Sequence, residues 1–238
     1  MLPSTAILRC TGTLAGAITM FFCVSPVHAD SEYFHHVFFD NSLNPDYYFY
    51  SSGKASAPSQ LVLLEHKLPV ETRTFLTPPN AIRLAWNSQH GGGWVAAIEV
   101  ETFRNREISF HGDTLSFWCF APSHIPGKDL PLIRIADTLQ SFSAPLQLQK
   151  FLGGLPARRW VQVKIPLRSF VAASLRTLEP NHLRSLIFSQ AATDAADHIL
   201  IVDQVTIDSS DTLNRSNSLP APEDVRAVGF ERHIDISW

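Results

Sequence analysis

The chain of 238 residues has little charge and few cysteines. Charged residues make up 17% and the formal net charge is -3, so the chain lacks the clustered single-sign charge that holds nucleic acid. Cys10 and Cys23 lie in a segment that we predict to be removed, which leaves Cys119 without a disulfide partner. The apolar neighbours of Cys119 predict that it packs as a core residue.

Sequence motifs of common hydrolases and zinc enzymes are also missing. The chain has no Gly-x-Ser-x-Gly motif and no His-Glu-x-x-His or paired-cysteine pattern. Glycoside hydrolysis needs two carboxylates across a cleft. The nearest pair, Glu99 and Glu101, lies two residues apart on one predicted strand, where solvated strand charges are the ordinary interpretation. We therefore predict that this chain is not an enzyme.

Residues 1–29 have the pattern of a secretory signal peptide. Arg9 precedes an apolar run at 11–24, and the small-residue pattern Val27-His28-Ala29 follows, which predicts cleavage after Ala29. An uncleaved anchor is the alternative, although a run of about 14 residues is short for a span of about 20. Cleavage predicts a secreted or periplasmic protein with no membrane attachment.

No helical periodicity of useful length appears after residue 30. Short apolar runs separated by Gly, Pro, Asn, Asp and Ser are typical of an all-β fold of antiparallel strands. We predict a two-sheet jelly-roll sandwich over residues 30–208, with one helical piece around 167–175. The predicted strands are 47–51, 59–65, 81–86, 93–100, 113–121, 130–137, 144–149, 159–167, 184–190 and 198–208.

Side-chain alternation assigns the faces of two of these strands. Strand 113–121 has aromatic residues on both faces, which predicts a central strand covered on both sides: Leu115, Phe117 and Cys119 on one face, Ser116, Trp118 and Phe120 on the other. In strand 159–167, Val161, Val163 and Ile165 point one way, and Trp160, Gln162 and Lys164 point the other way. Pro166 should end that strand, because proline has no N–H to donate.

A Ser/Asn/Asp-rich linker at 209–219 predicts a domain boundary. The remaining residues, 220–238, contain two strand-like runs around a turn at Gly229–Phe230. So short a tail cannot bury enough surface to fold alone, so we expect an incomplete β tail with Trp238 poorly covered. We expect the chain to be the N-terminal fragment of a longer secreted protein, with catalysis beyond Trp238.

Several of these segments together resemble a galactose-binding-like jelly roll: HGGGWVAAIEV, GDTLSFWCFAP, LPLIRIAD, RRWVQVKIPLRSF and LIFSQAATDAADHILIVDQVTID. More narrowly, residues 33–208 are similar to the carbohydrate-binding-type domain at the N-terminus of secreted bacterial glucoamylase-like proteins. The stretch Trp160 to Phe170 is the most specific. The tail resembles the first two strands of a fibronectin type III domain, with Trp238 as a core residue. The resemblance implies a glucan ligand and a catalytic (α/α) barrel after the fibronectin domain.

The segment NSQHGGGW at 87–94 is the predicted sugar-binding site. Three consecutive glycines permit unusual backbone dihedrals between Trp86 and Trp94. Sugars lay their C–H faces on aromatic rings while fixed polar groups bond the hydroxyls, so Trp94, His90, Asn87, Gln89 and Trp86 form a candidate ligand-binding cluster. The alternative is a flexible hairpin with two core tryptophans.

Regular alternation along the strand puts Asp203 on the same face as Ile199, Ile201, Val205 and Ile207. An unpaired carboxylate on such an apolar face is costly. Three explanations are open: Asp203 caps backbone N–H groups or meets an arginine, Arg83 or Arg134; it binds a structural calcium with Asp40 or Glu32; or the opposite face, with Leu200 and Val202, is the inner one. Resembling jelly rolls often hold a calcium near their first and last strands.

The loop leading into the predicted strand 198–208 carries Asp194, Asp197 and His198. These residues are either ligands or part of a polar turn.

Two functions remain open from the sequence. The first is a glycan-binding accessory module that is monomeric, binds an oligo- or polysaccharide, and raises the effective concentration of an attached catalytic domain. The second is a structural spacer that docks on a neighbouring domain and binds no sugar. Exposed tryptophans in a groove favour the first function, and a flat apolar patch favours the second.

Overall fold

The computed structural model describes residues 37–100, 112–173, 177–179 and 181–208, and the backbone of 226–229 and 234–237. The predicted signal peptide at 1–29, the linker at 209–219 and the residues Glu32, Glu101 and Trp238 lie outside the described residues. In the part of the chain that the structure describes, no helix is long and apolar enough to cross a membrane.

The described chain is almost entirely β-structure. In chain order, the first eight strands are β1 (Val37–Phe39), β2 (Ser51–Ser56), β3 (Gln60–Leu61), β4 (Val70–Glu71), β5 (Ala81–Asn87), β6 (Gly93–Glu99), β7 (Thr114–Phe120) and β8 (Ile125–Pro126). The others are β9 (Leu132–Asp137), β10 (Leu146–Gln147), β11 (Gly154–Leu155), β12 (Val161–Pro166), β13 (Leu183–Ser189), β14 (Asp197–Asp208), β15 (Arg226–Gly229) and β16 (Ile234–Ser237). Within the described residues, helical structure is limited to α1 (Gln149–Leu152) and two 3₁₀ turns, Gly127–Asp129 and Leu167–Ser169.

Two antiparallel sheets form the sandwich. The seven-stranded sheet has the order β12-β7-β14-β5-β3, with β1 paired to β14 and β4 paired to β5. The five-stranded sheet has the order β10-β9-β13-β6-β2. Two small ribbons, β11-β8 and β15-β16, complete the described strands. The predicted all-β, two-sheet antiparallel jelly-roll sandwich is confirmed.

The core lies between the two sheets. Phe117 of the seven-stranded sheet meets Phe188 of the five-stranded sheet edge to face, with ring centroids 6.0 Å apart. Both rings are fully buried, as are Leu115 and Cys119, so the face that these three residues of β7 share is the inner one. Burial raises the pKa of the Cys119 thiol far above its ordinary value, because a thiolate would have no water to solvate it.

The predicted strands differ from the observed ones mainly at their ends. The predicted strand at 47–51 is displaced: β2 begins at Ser51, while Tyr47 makes only an isolated bridge to Pro69. Strand β12 ends at Pro166 as predicted. Of the predicted helical piece around 167–175, the described residues 167–173 contain only a 3₁₀ turn at Leu167–Ser169, and Phe170 is already extended. The short strands β1, β4, β8 and β11 were not predicted, since two or three residues carry too little periodicity.

Candidate functional site

The two tryptophans of the predicted sugar site are buried. Trp86 is 3% exposed and Trp94 is 4% exposed, and their ring centroids are 5.2 Å apart across the sandwich. The indole N–H of Trp94 donates to the Ser88 hydroxyl at 3.0 Å. Both rings belong to the core, as the alternative interpretation predicted, and rings buried this deeply offer little surface for a sugar to stack on. The segment between them is not a hairpin, because β5 and β6 lie in different sheets.

The polar residues between β5 and β6 bond to one another and to the loop before β14. The amide of Asn87 donates to the Ala195 carbonyl at 3.0 Å and to the Asp197 carboxylate at 2.9 Å. The amide of Gln89 donates to Asn87 at 3.0 Å, while His90 is exposed at the tip beside Gly91, whose φ is 84°. These bonds tie the segment to the loop before β14. Ligand binding by Asn87, Gln89 and His90 stays a prediction.

His198 and Asp194 form a hydrogen-bonded pair at this end of the sandwich. The distance from His198 Nε2 to Asp194 Oδ2 is 2.7 Å, and the imidazole packs on Trp86 at 5.3 Å between centroids. Burial alone would raise the pKa of Asp194, but the hydrogen bonds from His198 and the Ala196 N–H outweigh it and lower the pKa. The pair holds the loop against the core.

We expect Asp194→Asn to destabilise the protein in a pH-dependent way. A carboxyl group with a lowered pKa in the folded state stabilises the fold above its unfolded pKa, and this contribution is lost as pH falls through the folded pKa. The difference in melting temperature between wild type and variant should therefore be largest near neutral pH and should shrink at pH values below about 4. Thermal melts across this range measure it. The substitution should have a much smaller effect in a His198→Phe background, and a difference that grew on acidification would contradict the prediction.

Asp203 is fully buried on the outer face of the seven-stranded sheet. Its Oδ2 accepts the N–H groups of Leu76 at 2.7 Å and Thr77 at 2.9 Å, and its Oδ1 accepts that of Gln204 at 2.8 Å. Burial raises the pKa of Asp203, these hydrogen bonds oppose the rise, and the nearby Asp40 charge adds to it. Backbone N–H groups, one of the three explanations open from the sequence, therefore satisfy this carboxylate.

The described residues around Asp203 include few side chains that could bind calcium. Calcium takes six to eight oxygen ligands, whereas no group of three or more His, Cys, Asp or Glu side chains in the described residues could hold a metal ion. Both oxygens of Asp203 already accept backbone hydrogen bonds. Asp203 and Asp40 alone do not fit the ion, and the structural calcium stays a prediction.

The outer face of the seven-stranded sheet carries partly exposed aromatic residues. Trp118 and Phe120 alternate on β7 with the buried core residues, and Trp160 directly precedes β12. The rings of Phe120 and Trp160 pack together with centroids 5.4 Å apart. We call Trp118, Phe120 and Trp160 the aromatic platform. None of the three is part of the buried core cluster.

Polar groups border the aromatic platform on the neighbouring strands. Gln162 faces Trp118 across the β12-β7 pair, and its amide donates to the Ser116 hydroxyl at 3.1 Å. Lys164 lies one step further on the same face and is exposed. The faces of aromatic rings are electron-rich, so the C–H groups of a flat ligand can pack on them while these polar groups bond its edges. The platform therefore has the chemistry of a sugar-binding surface.

The sequence contained the signal for this platform. Alternation predicts Trp118 and Phe120 on one face of strand 113–121, and Trp160 on the face of strand 159–167 opposite to Val161, Val163 and Ile165. Aromatic residues on both sides of strand 113–121 predict that both of its faces are covered. The structure leaves the platform partly exposed.

Glu99 belongs to the pair of carboxylates, Glu99 and Glu101, that the sequence analysis considered for glycoside hydrolysis. In the structure its carboxylate forms a salt bridge with the guanidinium group of Arg184 at 3.2 Å.

One curated relative covers most of the chain. The chain is 27% identical over 221 residues to the exo β-1,2-glucooligosaccharide sophorohydrolase (non-reducing end) of Parabacteroides distasonis, a match that spans 93% of this chain. It spans only 30% of the relative's length. No protein-family model matches the chain.

Solved structures with a similar fold include an enzyme and carbohydrate-binding modules. The crystal structure of β-1,2-glucanase from Parabacteroides distasonis aligns with 85% of this chain and 29% of that chain, at 28% identity and a TM-score of 0.66. The family 30 carbohydrate-binding module of a cellulosomal cellulase of Clostridium thermocellum aligns with 74% of this chain and 97% of the module, at 18% identity and a TM-score of 0.55. The sandwich therefore has the fold of a carbohydrate-binding-type jelly roll.

These comparisons overturn one prediction from the sequence. We predicted that the chain is not an enzyme, because no catalytic motif was found. That prediction is wrong: both the curated relative and the first of these structures are glucan hydrolases, and they match 93% and 85% of this chain. The match spans only 30% of the relative's length, so the hydrolytic activity itself is taken up as a proposal below.

Proposed function

We propose that the described sandwich is the glucan-binding part of a hydrolase that acts on β-1,2-linked glucan. The observation that carries this proposal is the match to the β-1,2-glucooligosaccharide sophorohydrolase along 93% of the chain. The β-1,2-glucanase structure, with a TM-score of 0.66, supports the same substrate class. Because the chain spans 30% of the relative's length, the hydrolytic activity is part of the proposal.

The aromatic platform is the surface that we assign to the glucan. Trp118, Phe120 and Trp160 would stack on the C–H faces of glucose units, and Gln162 and Lys164 would bond hydroxyl groups. Such binding holds the protein on its substrate and raises the local substrate concentration for hydrolysis. The pattern of residues 1–29 supports an action outside the cytoplasm, in the periplasm or after secretion.

Titration of the purified protein with linear β-1,2-glucooligosaccharides tests the proposal. Isothermal calorimetry should detect binding, with weaker or no binding of β-1,4- and β-1,3-linked oligosaccharides of the same length. Affinity electrophoresis in gels that contain β-1,2-glucan provides an independent measurement. Failure of β-1,2-glucan to retard the protein or release heat, at millimolar concentrations, would refute the assignment.

Docking on a neighbouring domain is a second candidate function. Leu139, Phe142 and Val171 are exposed by 71%, 40% and 67%. They lie near one another, because Ser143 bridges to Ala172 and Ala173 bonds the Phe142 carbonyl at 2.8 Å. Exposed apolar side chains in one place mark interaction surfaces. If the protein binds no glucan, this patch makes docking the better function.

A further inference from the structure

The loop between β4 and β5 is tied to the outer face of the seven-stranded sheet. We call this loop, residues 72–80, the strap. Asp203 Oδ2 accepts the backbone N–H groups of Leu76 and Thr77 at 2.7 and 2.9 Å. The amide of Gln204 adds a third tie, donating to the Thr77 hydroxyl at 2.6 Å. Two adjacent residues of β14 thus fix the middle of the strap.

The tie lies directly beside the aromatic platform. Asp203 faces Trp118 across the β14-β7 pair, and such facing residues have Cβ atoms about 4.5–5.5 Å apart on one side of the sheet. The carboxylate that holds the strap is therefore a cross-strand neighbour of Trp118. Leu76 is still 37% exposed, so the strap presents an accessible surface at Asp203.

We propose that Asp203 is a positioning residue of the glucan-binding surface, which it completes by holding the strap beside Trp118. The inference rests on the proposed function of the aromatic platform. Asp203 is 0% exposed and acts through the strap, without touching the ligand. Without its carboxylate, the N–H groups of Leu76 and Thr77 lose their acceptor, and the loosened strap must be ordered again whenever glucan binds, which weakens affinity.

Two substitutions at Asp203 separate positioning from charge. Asp203→Ala removes every acceptor, so calorimetry should show affinity for β-1,2-glucooligosaccharides weakened by about fivefold or more. Asp203→Asn keeps one oxygen, which can occupy the place of Oδ2 and accept both strap N–H groups. The Asn variant should therefore keep most of the wild-type affinity. Wild-type affinity in Asp203→Ala would overturn the proposal.

Asp137 offers a matched control in the other sheet. It is also 0% exposed, and its carboxylate accepts the backbone N–H groups of Ser141 at 2.8 Å and Glu179 at 3.2 Å. Asp137→Ala should lower the melting temperature as Asp203→Ala does, but it should leave glucan affinity at the wild-type value. Equal losses of affinity in both variants would reduce the Asp203 effect to general destabilisation and overturn the proposal.

A measurement without glucan keeps this inference separate from the proposed function. Hydrogen exchange at the Leu76 and Thr77 amides should accelerate in Asp203→Ala. The tryptophan fluorescence should also change, and this change should disappear in a Trp118→Phe background. If these signals appear but the wild type binds no glucan, the strap is positioned by Asp203 and the proposed function fails. Unchanged exchange and fluorescence would overturn the positioning role itself.

Discussion

Replacing Trp118 with alanine should weaken β-1,2-glucooligosaccharide binding by about tenfold. Stacking of a flat ligand on an aromatic side chain contributes about 1–3 kcal/mol in nucleic acid complexes, and about 1.4 kcal/mol corresponds to a factor of ten in affinity. Trp118 is central in the platform, between Gln162 on β12 and Asp203 on β14. Trp160→Ala should weaken binding less, because Trp160 lies just outside β12 and leans on Phe120.

Phe49 provides the control for loss of an exposed aromatic side chain. It is 61% exposed and lies away from the platform, where Lys67 packs over its ring at 5.2 Å. Phe49→Ala should leave glucan affinity unchanged. His90→Ala, measured in the same titrations, tests the site at 87–94 predicted from the sequence. Loss of binding in His90→Ala with full binding in Trp118→Ala would move the site to 87–94.

The sheet structure could be predicted from the sequence because its strands alternate regularly. Leu115, Phe117 and Cys119 all lie in the core, as their common parity indicated. The same rule applied to β5 and β6 would have buried both tryptophans. Trp86 lies on the same face of its strand as Ile82 and Leu84, and Trp94 lies on the same face as Ala96 and Ile98. The structure places all of these residues in the core. The three glycines between the tryptophans carry no information on the burial of either ring.

The environment of Asp203 could not be predicted, because the phase of β14 changes next to it. Val202 before this point and Val205 after it both face the core, although they are three positions apart and regular alternation would put them on opposite faces. The register shifts between Asp203 and Thr206, and Gln204 has a φ of 47°, as a β-bulge requires. The strap that satisfies the carboxylate is more than a hundred residues earlier in the chain, and no local pattern connects the two.

The platform and the buried tryptophans should respond to substitution in opposite ways. Trp86 is 3% exposed and packs between Trp94 and His198, so Trp86→Ala leaves a cavity that its neighbours cannot fill. Removing a buried aromatic ring costs about 3–5 kcal/mol of unfolding free energy, a large share of the total of about 5–15 kcal/mol for a native protein. Urea or guanidinium unfolding measures this loss.

The two variants, compared in both assays, decide which tryptophans bind and which support the fold. Trp86→Ala should lose stability and, where it is still folded, bind glucan with the wild-type affinity. Trp118→Ala should lose affinity with a stability change of about 1 kcal/mol or less, because its ring already contacts water. A Trp86→Ala variant with nearly wild-type stability but no glucan binding would contradict the burial of the Trp86 and Trp94 rings. It would also return the site to residues 86–94.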